Sequence, residues 1–212
     1  MNVTVFGATG AIGSLTVTEL LERGHTVTAY ARNPAKVPAL WRDLVRLVVG
    51  EMSAADAIDS AVAGADVVVS ALGPSMDRRA TGVPLVEGTE HILAAMRRHG
   101  VTRYIGQATP AVLDPQEKPT PVTRLIGFMP RTFMPRAYEE IRGMTGPVMR
   151  SDLDWTIVRF IAPKDTPKGN VRTGFFGTDK LGFAVSRADI AAFTAAQVDD
   201  ATYVRRAPAI SN

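Results

Sequence analysis

The chain has 212 residues, with 46% hydrophobic and 21% charged residues and no cysteine. That length suits one domain of about 100–200 residues, the composition excludes disorder as the main state, and the lack of cysteine excludes disulfides, thiolate catalysis and Cys-ligated metal centres. The net charge of +3 is uneven: residues 1–100 carry 9 Lys/Arg against 10 Asp/Glu, and residues 101–212 carry 15 against 11.

In chain order, short β-branched runs at Val3–Phe6, Thr26–Ala31, Leu44–Val49, Val67–Ser70 and Arg103–Gln107 alternate with helical spacing at Ile12–Arg23, Ala54–Ala63 and Leu85–His99. The last helix ends at Gly100, a stop signal. Nearly all-apolar strands alternating with helices predict a parallel sheet covered on both faces. The expected fold class is α/β, a Rossmann-like doubly wound sheet in a single domain over 1–212.

From Pro110 to Met149 the composition changes, with seven of the 14 Pro and four of the eight Met. Between 118 and 150, Lys118, Arg124, Arg131, Arg136, Arg142 and Arg150 face only Glu139 and Glu140. Lying between strands five and six, residues 110–150 are predicted to form a mobile substrate-covering lid, with Met129 and Met134 as adaptable contacts. Pro147 is expected to break or kink the helix before strand six. Strands follow at Trp155–Arg159 and Phe183–Ser186, then a helix at Arg187–Val198 with Ser186 and Asp189 in capping-box spacing. Trp155 and Phe160 read as core. His25, in a helix-to-strand turn, reads as solvent-exposed, and His91 and His99 as surface or capping residues.

The most specific motif is Gly7-Ala8-Thr9-Gly10-Ala11-Ile12-Gly13, directly after the first strand and opening the first helix. Gly7 permits the tight turn, Gly10 lets backbone approach a pyrophosphate, and Gly13 lets helix and strand pack closely. Free N–H groups at the helix start suit an anion. After strand two stand Arg32 and Asn33, where an NAD enzyme usually carries a carboxylate. A guanidinium matches a 2′-phosphate in charge and shape, so NADPH is the expected cofactor. Glu51 and Met52 after strand three, Ala71, Leu72 and Gly73 after strand four, Ala108 after strand five, and Phe160 and Ile161 after strand six complete the predicted cofactor set.

GATG at 7–10, ARNP at 31–34 and SDLDWTIVR at 151–159 resemble the atypical short-chain dehydrogenase/reductase superfamily, in its NmrA-like, NAD(P)H-binding group. VVGEMSAADAIDSAVAGADVVVSALG at 48–73, EGTEHILAAMRRHGV at 87–101, LDP at 113–115 and SRADI at 186–190 are most similar to the NADPH-dependent flavin reductase/biliverdin reductase B family. The resemblance implies a single-domain reductase in which a flavin, quinone, tetrapyrrole or another planar acceptor stacks on the nicotinamide. It departs from the family where Thr109 replaces a Ser, and where Phe160-Ile161-Ala162-Pro163 lacks a Pro-Pro-His. The catalytic candidates are Thr109 and Tyr138, the latter with Arg142 one turn on where typical short-chain dehydrogenases place a Lys. The alternative reading is an NmrA-like protein that senses NADP(H) without turnover.

The N-terminus enters a strand at once, and no apolar run reaches roughly 18 residues. A cytoplasmic protein without signal peptide or membrane span is expected, as a monomer or weak homodimer. The three His are scattered, so no metal site is expected. The basic residues are spread among Pro with no basic helix to present them, so no nucleic-acid interface is expected either.

Overall fold

The computed structural model describes residues 1–75, 77, 79, 81–117 and 131–212. Its first half repeats a strand–helix unit: β1 (Asn2–Phe6), α1 (Ala11–Glu22), β2 (Thr26–Ala31), β3 (Val45–Val49), α2 (Ala55–Val62), β4 (Val67–Ser70), α3 (Pro84–His99) and β5 (Arg103–Ala108). After residue 130 come α4 (Pro135–Met149), β6 (Asp154–Arg159), β7 (Ala162–Lys164), β8 (Arg172–Gly174), β9 (Ala184–Ser186), α5 (Arg187–Ala196) and β10 (Ala209–Ser211).

The main sheet runs β3-β2-β1-β4-β5-β6-β10-β8, and β7 pairs with β9 apart from it. All pairs from β3 to β10 are parallel, and β8 alone runs antiparallel, against β10. The fold is therefore the expected Rossmann-like α/β sheet. β1 pairs with β2 on one side and β4 on the other, so the order reverses there and opens a crevice at the carboxyl ends of β1 and β4.

Successive strand residues point to opposite faces, which splits the core in two. Phe6, Ile58, Ile92, Met96, Trp155 and Ile157 pack under α2, α3 and α4. Val5, Val17, Leu20, Ile105, Val158 and Ile190 pack under α1 and α5. Gly100 takes a left-handed φ of 69° and closes α3 by donating to the Arg97 and Met96 carbonyls, as a C-terminal glycine does.

Several expectations change. β7, β8 and β10 have three residues each, too short to show a pattern. Pro147 does not interrupt α4, which continues to Met149. The proline stands in the last turn, where the only bond it forgoes is to the Gly143 carbonyl, and buried Met144 and Val148 hold that turn against the core. Gly143 is a close-approach residue, since a Cβ there would lie 2.5 Å from Val86 Cγ2 of α3. Residues 135–149 thus form a packed helix rather than part of a lid. Residues 118–130 of the expected lid, with Met129, lie outside the described residues, while Met134 is half exposed ahead of α4. His25 is buried, with its Nε2 3.2 Å from Asp199 and its Nδ1 3.5 Å from the Met1 amine.

The capping box at Ser186 forms only in part. Ser186 Oγ accepts from the Asp189 N–H, but the Ser186 N–H goes to Asn212 Oδ1. The Asp189 carboxylate instead takes Ser186 Oγ, the Gly169 N–H and Asn212 Nδ2.

Candidate functional site

The glycine fingerprint folds as its spacing requires. Gly7 has φ +75°, and a Cβ there would lie 2.8 Å from the Ala71 carbonyl oxygen. The Gly10 N–H donates to the Gly7 carbonyl at 2.9 Å, closing the turn. A Cβ on Gly13 would fall 2.0 Å from the Gly7 oxygen, so only glycine lets α1 start this close to β1. Gly10 is the N-cap of α1, with no side-chain cap and no acidic residue in the first turn. The N–H groups of Ala11, Ile12 and Gly13 have no partner inside the helix, and the positive end of its dipole stays open. Gly10 and Ala11 are exposed, while Thr9 and Ile12 are half-buried.

One strand over, Arg32 follows β2, exposed and with no hydrogen bond or ion pair to any described residue. Asn33 beside it is partly committed, because its Oδ1 accepts from the Ala35 N–H at 2.9 Å and caps a short 3-10 turn at Pro34–Lys36. Beyond β3, the Tyr30 hydroxyl donates to the Glu51 carbonyl at 2.8 Å. Burial, then the Glu51 charge, push the Tyr30 phenol above its ordinary range. The Glu51 side chain is exposed. Met52 is wedged under α3, where a Cβ on Gly88 would lie 2.4 Å from its methyl, and His91 Nδ1 donates to the Met52 carbonyl at 3.1 Å.

Ala71 leaves β4 with its N–H bonded to the Phe6 carbonyl, and Ala71 and Leu72 are half-buried beside exposed Gly73. Ala108 ends β5 buried. Thr109 follows it half-buried, its carbonyl accepting from the Val112 N–H at 3.1 Å and its Oγ1 from the Ala111 N–H at 3.4 Å. Across from it Phe160 and Ile161 leave β6 half-buried, with the Phe160 N–H bonded to the Ala108 carbonyl. Sheet order therefore brings the ends of β2, β1, β4, β5 and β6 to one carboxyl edge. Tyr138 lies on α4. Its hydroxyl takes a 3.3 Å hydrogen bond from Arg142, whose guanidinium lies 5.6 Å from its ring centre, and no bond among the described residues ties it to Thr109.

Sequence reasoning missed a charged cluster beside Thr109. Arg159, the last residue of β6, is fully buried and paired with Glu117, and Asp114 is buried and paired with Arg206. Burial alone would raise Asp114, but hydrogen bonds from Arg206, the Ala207 N–H and the Gln116 N–H outweigh it and hold the carboxyl below its ordinary range. A second buried carboxylate, Glu140 on α4, accepts from the Leu85 N–H in the first turn of α3 and pairs with Arg136. Arg136 also donates to the Ser75 and Gly82 carbonyls of the loop after β4. The one signal for the first cluster was an Arg closing the apolar run Trp155–Val158.

Among the described residues no helix is long and apolar enough to cross a membrane. Comparison with known proteins gives a family pattern described as NAD(P)H-binding, matched over residues 7–201. A 3-diazoavenalumate denitrifying reductase from a Streptomyces species is 34% identical over 129 residues, 56% of this chain and 41% of that protein. A 3-beta-hydroxysteroid dehydrogenase from Mycolicibacterium neoaurum is 31% identical over 121 residues, 52% of this chain and 32% of that protein. The chain thus spans well under half the length of these curated relatives. Among solved structures, the anaerobilin reductase ChuY from Escherichia coli O157:H7 superposes with a TM-score of 0.80 at 18% identity, covering 100% of this chain and 97% of that one. A short-chain dehydrogenase/reductase from Veillonella parvula in complex with NADP gives 0.78 at 21%, covering 100% and 94%. At these identities the structures share the fold.

Proposed function

The chain belongs to the NAD(P)H-binding family, and from that premise we propose that it is an NADPH-dependent reductase delivering hydride to a planar acceptor such as a flavin, quinone or tetrapyrrole. The observation that carries the cofactor half is the glycine turn with its α1 start uncapped by any side chain, beside an Arg32 that no described residue engages. Those residues fit a dinucleotide: the α1 N–H groups of Ala11, Ile12 and Gly13 hold the pyrophosphate, and Arg32 takes the 2′-phosphate by a charged fork. Thr9, Glu51 and Met52, Ala71 to Gly73, Ala108, and Phe160 and Ile161 line the rest of the groove. The Asn33 side-chain amide nitrogen, whose neighbouring Oδ1 already accepts from Ala35, is left to donate on the ribose side.

Bound NADPH supplies a hydride. Thr109 supplies a hydroxyl whose proton no described residue takes, which hydrogen-bonds a polar atom of the acceptor and orients it. For a flavin or quinone no protein acid is required, because orientation provides most of the rate and water gives the proton. Tyr138, with Arg142 donating to its oxygen, is the acid for an acceptor that needs one. The planar acceptor is supported by aromatic surface at this edge: Phe183 is 71% exposed and its carbonyl accepts from the Ala162 N–H beside Ile161. Within the wider family we assign the chain to the flavin reductase/biliverdin reductase B group that its sequence resembles, and an anaerobilin reductase of the same fold makes tetrapyrroles worth offering.

Loss of nicotinamide absorbance with FMN, menadione and biliverdin offered separately tests this reading. Oxidation of NADPH by at least one of them supports it. Flat traces throughout with NADPH binding intact reject turnover and favour the NADP(H)-sensing alternative.

A further inference from the structure

Arg159 makes an unusually complete set of bonds for a side chain with no exposed surface. Its Nε donates to the Ala207 carbonyl at 2.6 Å, and one terminal nitrogen donates to the Val112 carbonyl at 2.9 Å and Glu117 Oε2 at 2.7 Å. The other donates to Glu117 Oε1 at 2.6 Å, and the guanidinium carbon stands 5.2 Å from the Phe176 ring centre. Glu117 in turn accepts from the Asp114 N–H at 3.0 Å. The Asp114 carboxylate takes the Ala207 N–H at 2.6 Å, Arg206 Nε at 3.0 Å and the Gln116 N–H at 2.9 Å. Two carboxylates of one short turn are thus gripped by two arginines, one from the end of β6 and one from the segment before β10.

Such a buried pair contributes little net stability, since desolvation offsets the attraction and apolar residues of similar size often serve as well. What apolar residues do not reproduce is fixed registry, and the registry here concerns Thr109. Ala108 is paired in the sheet with Arg159. The Thr109 carbonyl receives the Val112 N–H, and the Val112 carbonyl receives the Arg159 side chain. Arg159 therefore holds Thr109 from its neighbouring strand and from the turn that follows.

We propose that the Arg159–Glu117 pair, backed by Asp114–Arg206, is the positioning device that sets the Thr109 hydroxyl against the acceptor. This rests on the reductase reading of the edge. The test compares wild type with Glu117→Gln and with the double variant Arg159→Met/Glu117→Met, which removes both charges and leaves neither unpaired. Four quantities are read: thermal midpoint, NADPH affinity, kcat and KM for menadione, and amide exchange at Val112 and Glu117.

The expected double variant melts close to wild type and binds NADPH unchanged. It loses protection at the two amides and falls about tenfold or more in kcat/KM, chiefly through kcat. Glu117→Gln keeps the shape but leaves the Arg159 charge buried without its counter-charge, so its midpoint falls. Below that midpoint it loses amide protection and kcat at unchanged NADPH affinity, and it carries the test if the double variant does not fold. Wild-type protection and turnover in the folded variants would overturn the proposal. So would a loss of NADPH affinity and midpoint in parallel with turnover, which marks a purely structural pair. If wild type reduces none of the acceptors, the reductase reading fails, and the exchange data still decide whether the pair orders the turn after Thr109.

Discussion

Among the described residues up to 110 the buried polar side chains are Thr4, Thr16, His25, Ser70 and Thr89, whereas beyond it they include Asp114, Glu140, Arg159 and Asp189. The first region builds its carboxyl edge from backbone: a glycine turn, an open helix start and strands packed by Val, Ile and Ala. The second fixes its loops with buried charges bonded across long sequence separations. On the proposed function, the difference follows the task of each edge. A pyrophosphate is held by main-chain N–H groups that any chain possesses, provided no Cβ blocks the approach. An acceptor must be met by particular side chains on loops, and those loops have few apolar contacts of their own to set their position.

The comparison can be broken most severely at Arg159. Arg159→Met alone leaves the Glu117 carboxylate buried without its partner, and equilibrium unfolding should show a loss of about 3–5 kcal/mol. A loss below about 1 kcal/mol would mean that the second region is not held by its charges.

Next in size is Gly13→Ala, whose methyl meets the Gly7 oxygen. Among the described residues the first region has no buried carboxylate–guanidinium pair to absorb the shift, so about 1–3 kcal/mol of stability goes, together with NADPH binding measured by titration. Glu140→Ala removes the acceptor for the Leu85 N–H and the partner of Arg136, at about 1–3 kcal/mol, with NADPH affinity preserved. Equal damage to cofactor binding would erase the distinction between the regions.

The pH dependence sharpens it further. Asp114 is held below its ordinary value, so it contributes stability at pH above that value and loses it as pH falls through the folded pKa. Acid unfolding is expected to develop below the ordinary aspartate value of 3.8. Asp114→Asn should lower stability near neutral pH and flatten the acid limb in pH-dependent denaturation. Smallest of all, Tyr138→Phe should leave menadione turnover nearly unchanged, since a quinone needs no protein acid.

The same contrast explains what was legible beforehand. Gly7, Gly10 and Gly13 announced their turn because a backbone constraint limits the residue type at fixed spacing. Arg159 stayed hidden because its partners Glu117 and Val112 lie 42 and 47 residues away, beyond any local pattern. His25 was misread for the same reason, its partner Asp199 being 174 residues distant. In α4, Pro147 read as a helix breaker, whereas it stands in the last turn of a helix whose Gly143 answers to Val86 on another helix. Local chemistry was readable, and long-range pairing was not.

The cofactor assignment rests on Arg32, and paired titrations test it most directly, with NADPH and NADH added to wild type and to Arg32→Asp. Wild type should bind NADPH more tightly, and the variant should lose about 1.5–3 kcal/mol of NADPH affinity relative to NADH, bringing the two together or reversing them. A wild type indifferent to the 2′-phosphate, or a variant that keeps its preference for NADPH, would contradict the account.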